Sequence, residues 1–99
     1  MKRTLVRYRT KPGAARENER LIQAVFAELQ ARSPEGVRYV ALRVGEQDFI
    51  HLVSVDAGAE SVSALESFRA FQSGIRERCL EAPQAAEATV IGNYRMLDE

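Results

Sequence analysis

The chain has 99 residues, 45% of them hydrophobic, and its 14 basic and 14 acidic side chains cancel to a formal net charge of zero. That balance argues against nucleic acid and against a polybasic membrane-surface role, since both partners select a basic excess. A lone cysteine excludes an internal disulfide, and no segment nears the roughly 20 apolar residues of a membrane span. The apolar and basic residues alternate after Met1 instead of forming the unbroken run of a signal peptide, so a single soluble cytoplasmic domain over residues 1–99 is expected.

Residues 3–11 alternate with the period of a strand, Thr4, Val6, Tyr8 and Thr10 on one side and Leu5, Arg7, Arg9 and Lys11 on the other. Pro12-Gly13 turns the chain. Over residues 14–32 the period becomes helical: Leu21, Ile22, Val25, Phe26 and Leu29 form one apolar stripe, opposite mostly charged residues. Ser33-Pro34-Glu35-Gly36 ends that helix.

Residues 37–44 and 48–55 are rich in β-branched and aromatic residues, and the short turn between them predicts a hairpin. Pairing Val44 with Asp48 sets Leu42 opposite Ile50 and Val40 opposite Leu52. These four make a wholly apolar face and are assigned to the helix-covered core, with Val6, Tyr8, Val90 and Tyr94. Ser63 and Glu66 have the spacing of a capping box. Leu65, Phe68, Phe71 (or Gln72), Ile75 and Cys79 then read as the stripe of a second helix, with Cys79 a core thiol, and residues 89–97 as a last strand with Gly92 a bulge. The order β-α-β-β-α-β gives a ferredoxin-like α+β fold, a four-stranded antiparallel sheet with two helices on one face.

Two stretches carry a resemblance. One is Arg7-Tyr8-Arg9-Thr10-Lys11-Pro12-Gly13, a basic strand closing before a charged helix; the other is Phe49-Ile50-His51-Leu52-Val53-Ser54-Val55, followed by a loop and a helix bearing Phe68 and Phe71. The chain resembles the dimeric α+β barrel superfamily, and within it the antibiotic-biosynthesis-monooxygenase-like proteins. The resemblance implies sheets paired into a barrel and cofactor-independent oxidation of a small aromatic or polyketide-like ligand. The pattern itself also favours a homodimer, because two helices cover only one sheet face and Leu5, Tyr39, Phe49, Val53, Val55 and Ile91 are left on the other.

That second face is where a site is expected. Arg7, Arg9, Arg43, His51, Asn93 and Arg95 are assigned to it among the apolar residues, and an apolar cavity with a few convergent polar groups is the usual form of a binding site. His51 and Tyr39 are the candidate catalytic groups, one as a base and one as a hydrogen-bond donor. Arg7, Arg9, Arg43, Phe49 and Asn93 are the candidate ligand contacts, the guanidinium groups favouring an anionic or enolate-like ligand. Ordinary packing and surface ion pairing are the leading explanation for each of these residues, with the ligand-contacting roles behind them. His51 and Cys79 lack the spacing of a metal site, the scattered glycines form no phosphate loop, and neither a metal nor a cofactor is expected. Arg76-Glu77-Arg78 reads as a solvated helix face. The alternative function is a non-catalytic dimeric binding module, stress-related or regulatory.

Overall fold

A computed structural model describes residues 2–97. Its elements run β1 (Lys2–Thr10), α1 (Ala15–Arg32), β2 (Val37–Val44), β3 (Asp48–Val55), a 3-10 turn (Val62–Ala64), α2 (Glu66–Gln72), α3 (Ile75–Arg78) and β4 (Cys79–Glu87). The four strands form one antiparallel sheet in the order β2-β3-β1-β4. This is the α+β, ferredoxin-like arrangement expected from the sequence, with the helices on one face. No helix among the described residues is long and apolar enough to cross a membrane.

The hairpin pairs as predicted, Val44 with Asp48, Leu42 with Ile50 and Val40 with Leu52. Its orientation is the reverse of the expected one. β1 pairs with β3 so that Val6 faces His51 and Tyr8 faces Phe49. Residues opposite one another share a sheet face, so the Val6 and Tyr8 side, which the helices cover, also holds Phe49, His51, Val53 and Tyr39. Phe49 is 2% exposed and lies stacked on Tyr8, ring centroids 5.5 Å apart. Val40, Leu42 and Val44 lie on the open face, Leu42 52% exposed. Both faces of the hairpin are apolar, and the bulkier aromatic set fills the space under the helices.

The second helical region departs from expectation at both ends. Ser61, not Ser63, caps the 3-10 turn by accepting from the Ser63 N–H, and no side chain of the segment caps α2. The start of α2 is served from α1: Glu28 accepts from the Ser67 N–H at 2.9 Å and from its hydroxyl. A carboxylate there meets free N–H groups at the positive end of a helix, and those hydrogen bonds hold the Glu28 pKa below its ordinary value. At the other end, Gly74 takes φ +82° and separates α2 from the single turn of α3.

The chain therefore enters its last strand at Cys79, not at residue 89. β4 pairs with β1 through Cys79 with Thr10, Glu81 with Arg9, Gln84 with Arg7 and Glu87 with Thr4. The register shifts twice, first between Thr10 and Arg9 and again between Arg9 and Arg7, so that Leu80 and the Ala82-Pro83 stretch supply extra residues on β4. Pro83 is tolerated because β4 is an edge strand and the proline sits in a bulge. Residues 89–97, expected as the strand, have no regular structure, and Ile91 is 99% exposed. Val90 and Tyr94 do not join the core, and Gly92 forms no bulge. Cys79 is buried as expected, but at the head of a strand.

Candidate functional site

The reversed hairpin moves the candidate site to the helix-covered side of the sheet. His51, expected on the uncovered face, is 4% exposed beneath α2. Both imidazole nitrogens are engaged: Nε2 with the Tyr8 hydroxyl at 2.9 Å and Nδ1 with the Tyr39 hydroxyl at 2.6 Å. The phenol of Tyr8 in turn accepts from Asn18 Nδ2 at 2.8 Å, and Asn18 Oδ1 accepts from Arg78 Nε at 3.1 Å. Arg78 also donates to the Phe71 carbonyl at 2.6 Å, and its guanidinium lies 5.4 Å from the centre of the Phe71 ring. Five side chains from β1, α1, α3, β2 and β3 thus form one hydrogen-bonded line through the core.

Burial governs the electrostatics of this line. It pushes the His51 imidazole down to about 4, since a ring taken out of water disfavours its charged form. The same desolvation raises the Tyr8 and Tyr39 phenols well above their ordinary value, Asn18 opposing the rise at Tyr8. All three groups are neutral near pH 7, and burial raises the Cys79 thiol as well.

The line ends at a cavity. Val6, Tyr39, His51, Val53, Phe68, Phe71, Ile75 and Pro83 are prominent in the lining of a space of about 120 Å³ between sheet and helices. Its wall is mostly apolar, and Tyr39 and His51 supply polar groups beside each other. A hydrogen-bonding pair at the edge of an aromatic chamber can grip the oxygen of a flat ligand while the rings hold its body.

The other expected site residues lie elsewhere. Arg9 is paired with Asp48 on the open face at 2.8 Å, and it lines a cleft of about 740 Å³ there with Arg7 and Glu81. Arg43 reaches Glu19 of α1 at 3.4 Å and the Glu46 carbonyl at 2.7 Å. Phe49 packs in the core on Tyr8. Asn93 closes a local turn, its side chain accepting from the Met96 and Leu97 N–H groups and donating to the Leu97 carbonyl, outside the cavity. Arg95 shares that irregular segment.

Asn18 and Arg78 were not anticipated as site residues. Asn18 had a signal, since it falls on the apolar stripe of α1 four residues before Ile22, where an uncharged polar group implies a buried partner. Arg78 had none, because it stands in an alternating charged run that reads as solvated. In the structure it turns inward to Asn18 and the Phe71 carbonyl. No group of three or more metal-ligating side chains occurs among the described residues.

Solved structures resemble the chain over almost its full length. A candidate antibiotic biosynthesis monooxygenase from Bacteroides thetaiotaomicron superposes with a TM-score of 0.74 at 18% identity, covering 98% of this chain and 95% of that one. SnoaB, a cofactor-independent oxygenase from Streptomyces nogalater, gives 0.65 at 18% identity, covering 95% and 97%. A protein of unknown function from Nitrosomonas europaea, NE2512, gives 0.69 at 15% identity, covering 98% and 96%. The chain has their fold. The resemblance to antibiotic-biosynthesis-monooxygenase-like α+β barrel proteins therefore holds at the level of the fold. No protein-family model matches the sequence, and no curated protein does.

Proposed function

We propose that the chain is a dimeric α+β barrel protein that takes a single-ring aromatic ligand bearing an oxygen function into the helix-side cavity, and handles it as a cofactor-independent oxygenase. The observation that carries this reading is the Tyr39–His51 pair, 2.6 Å apart, beside an aromatic-lined space of about 120 Å³. A cavity of about 150 Å³ holds benzene, whereas drug-sized ligands fill about 300 Å³ or more. A single ring therefore suits this chamber, and a polyketide-like skeleton would need α2 to move.

The chemistry needs no resident cofactor. An activated CH₂ gives its proton to water, the carbanion carbon bonds to dioxygen, the peroxide anion takes a proton back, and the resulting hydroperoxide sheds water, so that R₂CH₂ + O₂ gives R₂C=O + H₂O. The Tyr39 hydroxyl, positioned by His51 at 2.6 Å, would hold the enolate oxygen during the first step. One observation favours the second reading, a binding module without turnover: an imidazole pushed down to about 4 is a weak base toward carbon acids. Phenylacetaldehyde, with its CH₂ between ring and carbonyl, separates the two. Saturable binding with dioxygen uptake, both reduced about tenfold or more in Tyr39→Phe, is the expected result for a lost hydrogen bond to a charged oxygen. Binding without uptake selects the binding module, and no binding removes the cavity from consideration.

The dimer rests on the open face, where Val40, Leu42 and Val44 are exposed around Ile50 and Leu52. A second copy of that face is the simplest cover for a contiguous apolar patch. Leu42→Glu buries a charge in such an interface. Light scattering at micromolar concentration should read a dimer for the parent chain and a monomer for the variant. A monomeric parent chain overturns the pairing.

A further inference from the structure

Resting on the reading of the cavity as a ligand site, we propose that Arg78, acting through Asn18 and Tyr8, fixes the direction of the hydrogen-bonded line so that Tyr39 offers a proton to the cavity, which makes the site select ligands with an acceptor oxygen, a ketone, quinone or phenolate, over ligands that only donate.

The argument is one of donor accounting. A guanidinium can only donate, so the Asn18 atom 3.1 Å from Arg78 Nε is its carbonyl oxygen, and its NH₂ group is the one that meets Tyr8. The Tyr8 oxygen therefore already accepts one hydrogen bond, and its single proton has one partner to go to, His51 Nε2 at 2.9 Å. Were that proton turned elsewhere, a buried hydroxyl would be left without an acceptor, which folded chains avoid. With Nε2 accepting, a neutral imidazole carries its proton on Nδ1 and donates it to the Tyr39 oxygen at 2.6 Å. Among the described residues the Tyr39 hydroxyl has no hydrogen-bond partner besides His51, so its own proton is left for the cavity that Tyr39 lines.

Asn18→Asp reverses the line with almost no change of shape. A carboxylate can only accept, so it keeps Arg78 as its partner and takes the Tyr8 proton. Tyr8 then accepts from His51 Nε2–H, Nδ1 becomes the acceptor for Tyr39, and the cavity is left with a phenol oxygen in place of a donor. Arg78 and Asn18 are positioning residues in this scheme, since neither reaches the cavity.

The histidine nitrogen resonances of the ¹⁵N-labelled protein read the tautomer directly, with no ligand present. The chain has one histidine, so the assignment is unambiguous. The expected result is a pyrrole-like shift on Nδ1 and a pyridine-like shift on Nε2 in the parent chain, the opposite in Asn18→Asp, and the parent pattern retained in Arg78→Lys, where the ammonium is still a pure donor. An Nε2–H tautomer in the parent chain overturns the direction by itself, even if the aspartate variant fails to fold. Titration then tests the selectivity with acetophenone, a pure acceptor, and pyrrole, a pure donor. Acetophenone should bind the parent chain at least about tenfold more tightly than Asn18→Asp, and pyrrole should show the reverse preference. An Nδ1–H tautomer with no binding of either probe overturns the selectivity and the ligand reading together, whereas an Nε2–H tautomer with acetophenone bound overturns the direction alone.

Discussion

Phe49→Ala is expected to lower the free energy of unfolding by about 3–5 kcal/mol, the range for removing a fully buried aromatic ring. Phe49 is 2% exposed, sits near the start of the interior strand β3, and stacks on Tyr8 at an interplanar angle of 10°. Deleting it removes the transfer free energy of the ring and leaves a void that the paired strands on either side cannot close. A domain of this size has a total stability of about 5–15 kcal/mol, so the loss takes a large share of it. The chain has no tryptophan, and urea unfolding followed by far-ultraviolet circular dichroism is the suitable measurement. Phe49→Leu keeps most of the volume and should cost clearly less. Equal losses for the two variants would mean that the ring lies outside the cooperative core. The consequence extends to the site, because Tyr8 loses the surface that holds its ring in line with His51.

The second large effect is on acid stability. His51 has its pKa pushed down by burial to about 4 in the folded chain, against an ordinary value of 6.5. Below pH 6.5 the unfolded chain binds a proton at this residue and the folded chain does not, so unfolding takes up a proton and stability falls as the pH falls. The fall ends near pH 4, where the folded form is protonated too, and a shift of this size corresponds to about 3 kcal/mol. The carboxylates of Glu17, Glu28 and Asp48 have pKa values lowered by their Arg20, Ser67 and Arg9 partners. Their contribution is present at higher pH and is lost below the ordinary carboxylate values, a more acid window than that of His51. Urea midpoints measured from pH 7 to 4 should therefore decline steadily, and in His51→Gln the decline above pH 4.5 should largely vanish. A parent chain whose midpoint is flat between pH 6.5 and 5 would show His51 to be solvated in the folded state.

The first strand and the long helix could be read from pattern because each has a single dominant period. The alternation around Val6 and Tyr8 and the stripe from Leu21 to Leu29 each describe one buried side. The hairpin register was legible from the short turn that pairs Val44 with Asp48. Its facing was not, because Val40, Leu42, Ile50 and Leu52 are as apolar as Tyr39, Phe49 and Val53, and only the pairing of β3 with β1 decides between them. The last strand shows tertiary context overriding composition. Residues 89–97 look more like a strand than Cys79–Glu87, with its proline, alanines and glutamates, yet the free edge of β1 lies within reach of Cys79 as soon as Gly74 breaks the helix. In the site, Tyr39 and His51 stood out as the right chemical types in the wrong location. Asn18 had a faint signal as a polar residue on an apolar stripe. Arg78 had none, because its inward turn depends on carbonyls exposed where α2 stops.

The two irregular steps in β4 also limit how the sheet can be extended. Leu80 and Ala82-Pro83 interrupt the spacing of backbone groups along the outer edge, Pro83 offers no N–H, and Glu81 and Glu87 place negative charge on the same strand. An incoming strand, from another molecule or from a passing peptide, would meet a broken template there and could not zip along it. Propagation by edge addition is blocked on that flank, which steers encounters between copies toward finite pairs and away from open-ended ribbons.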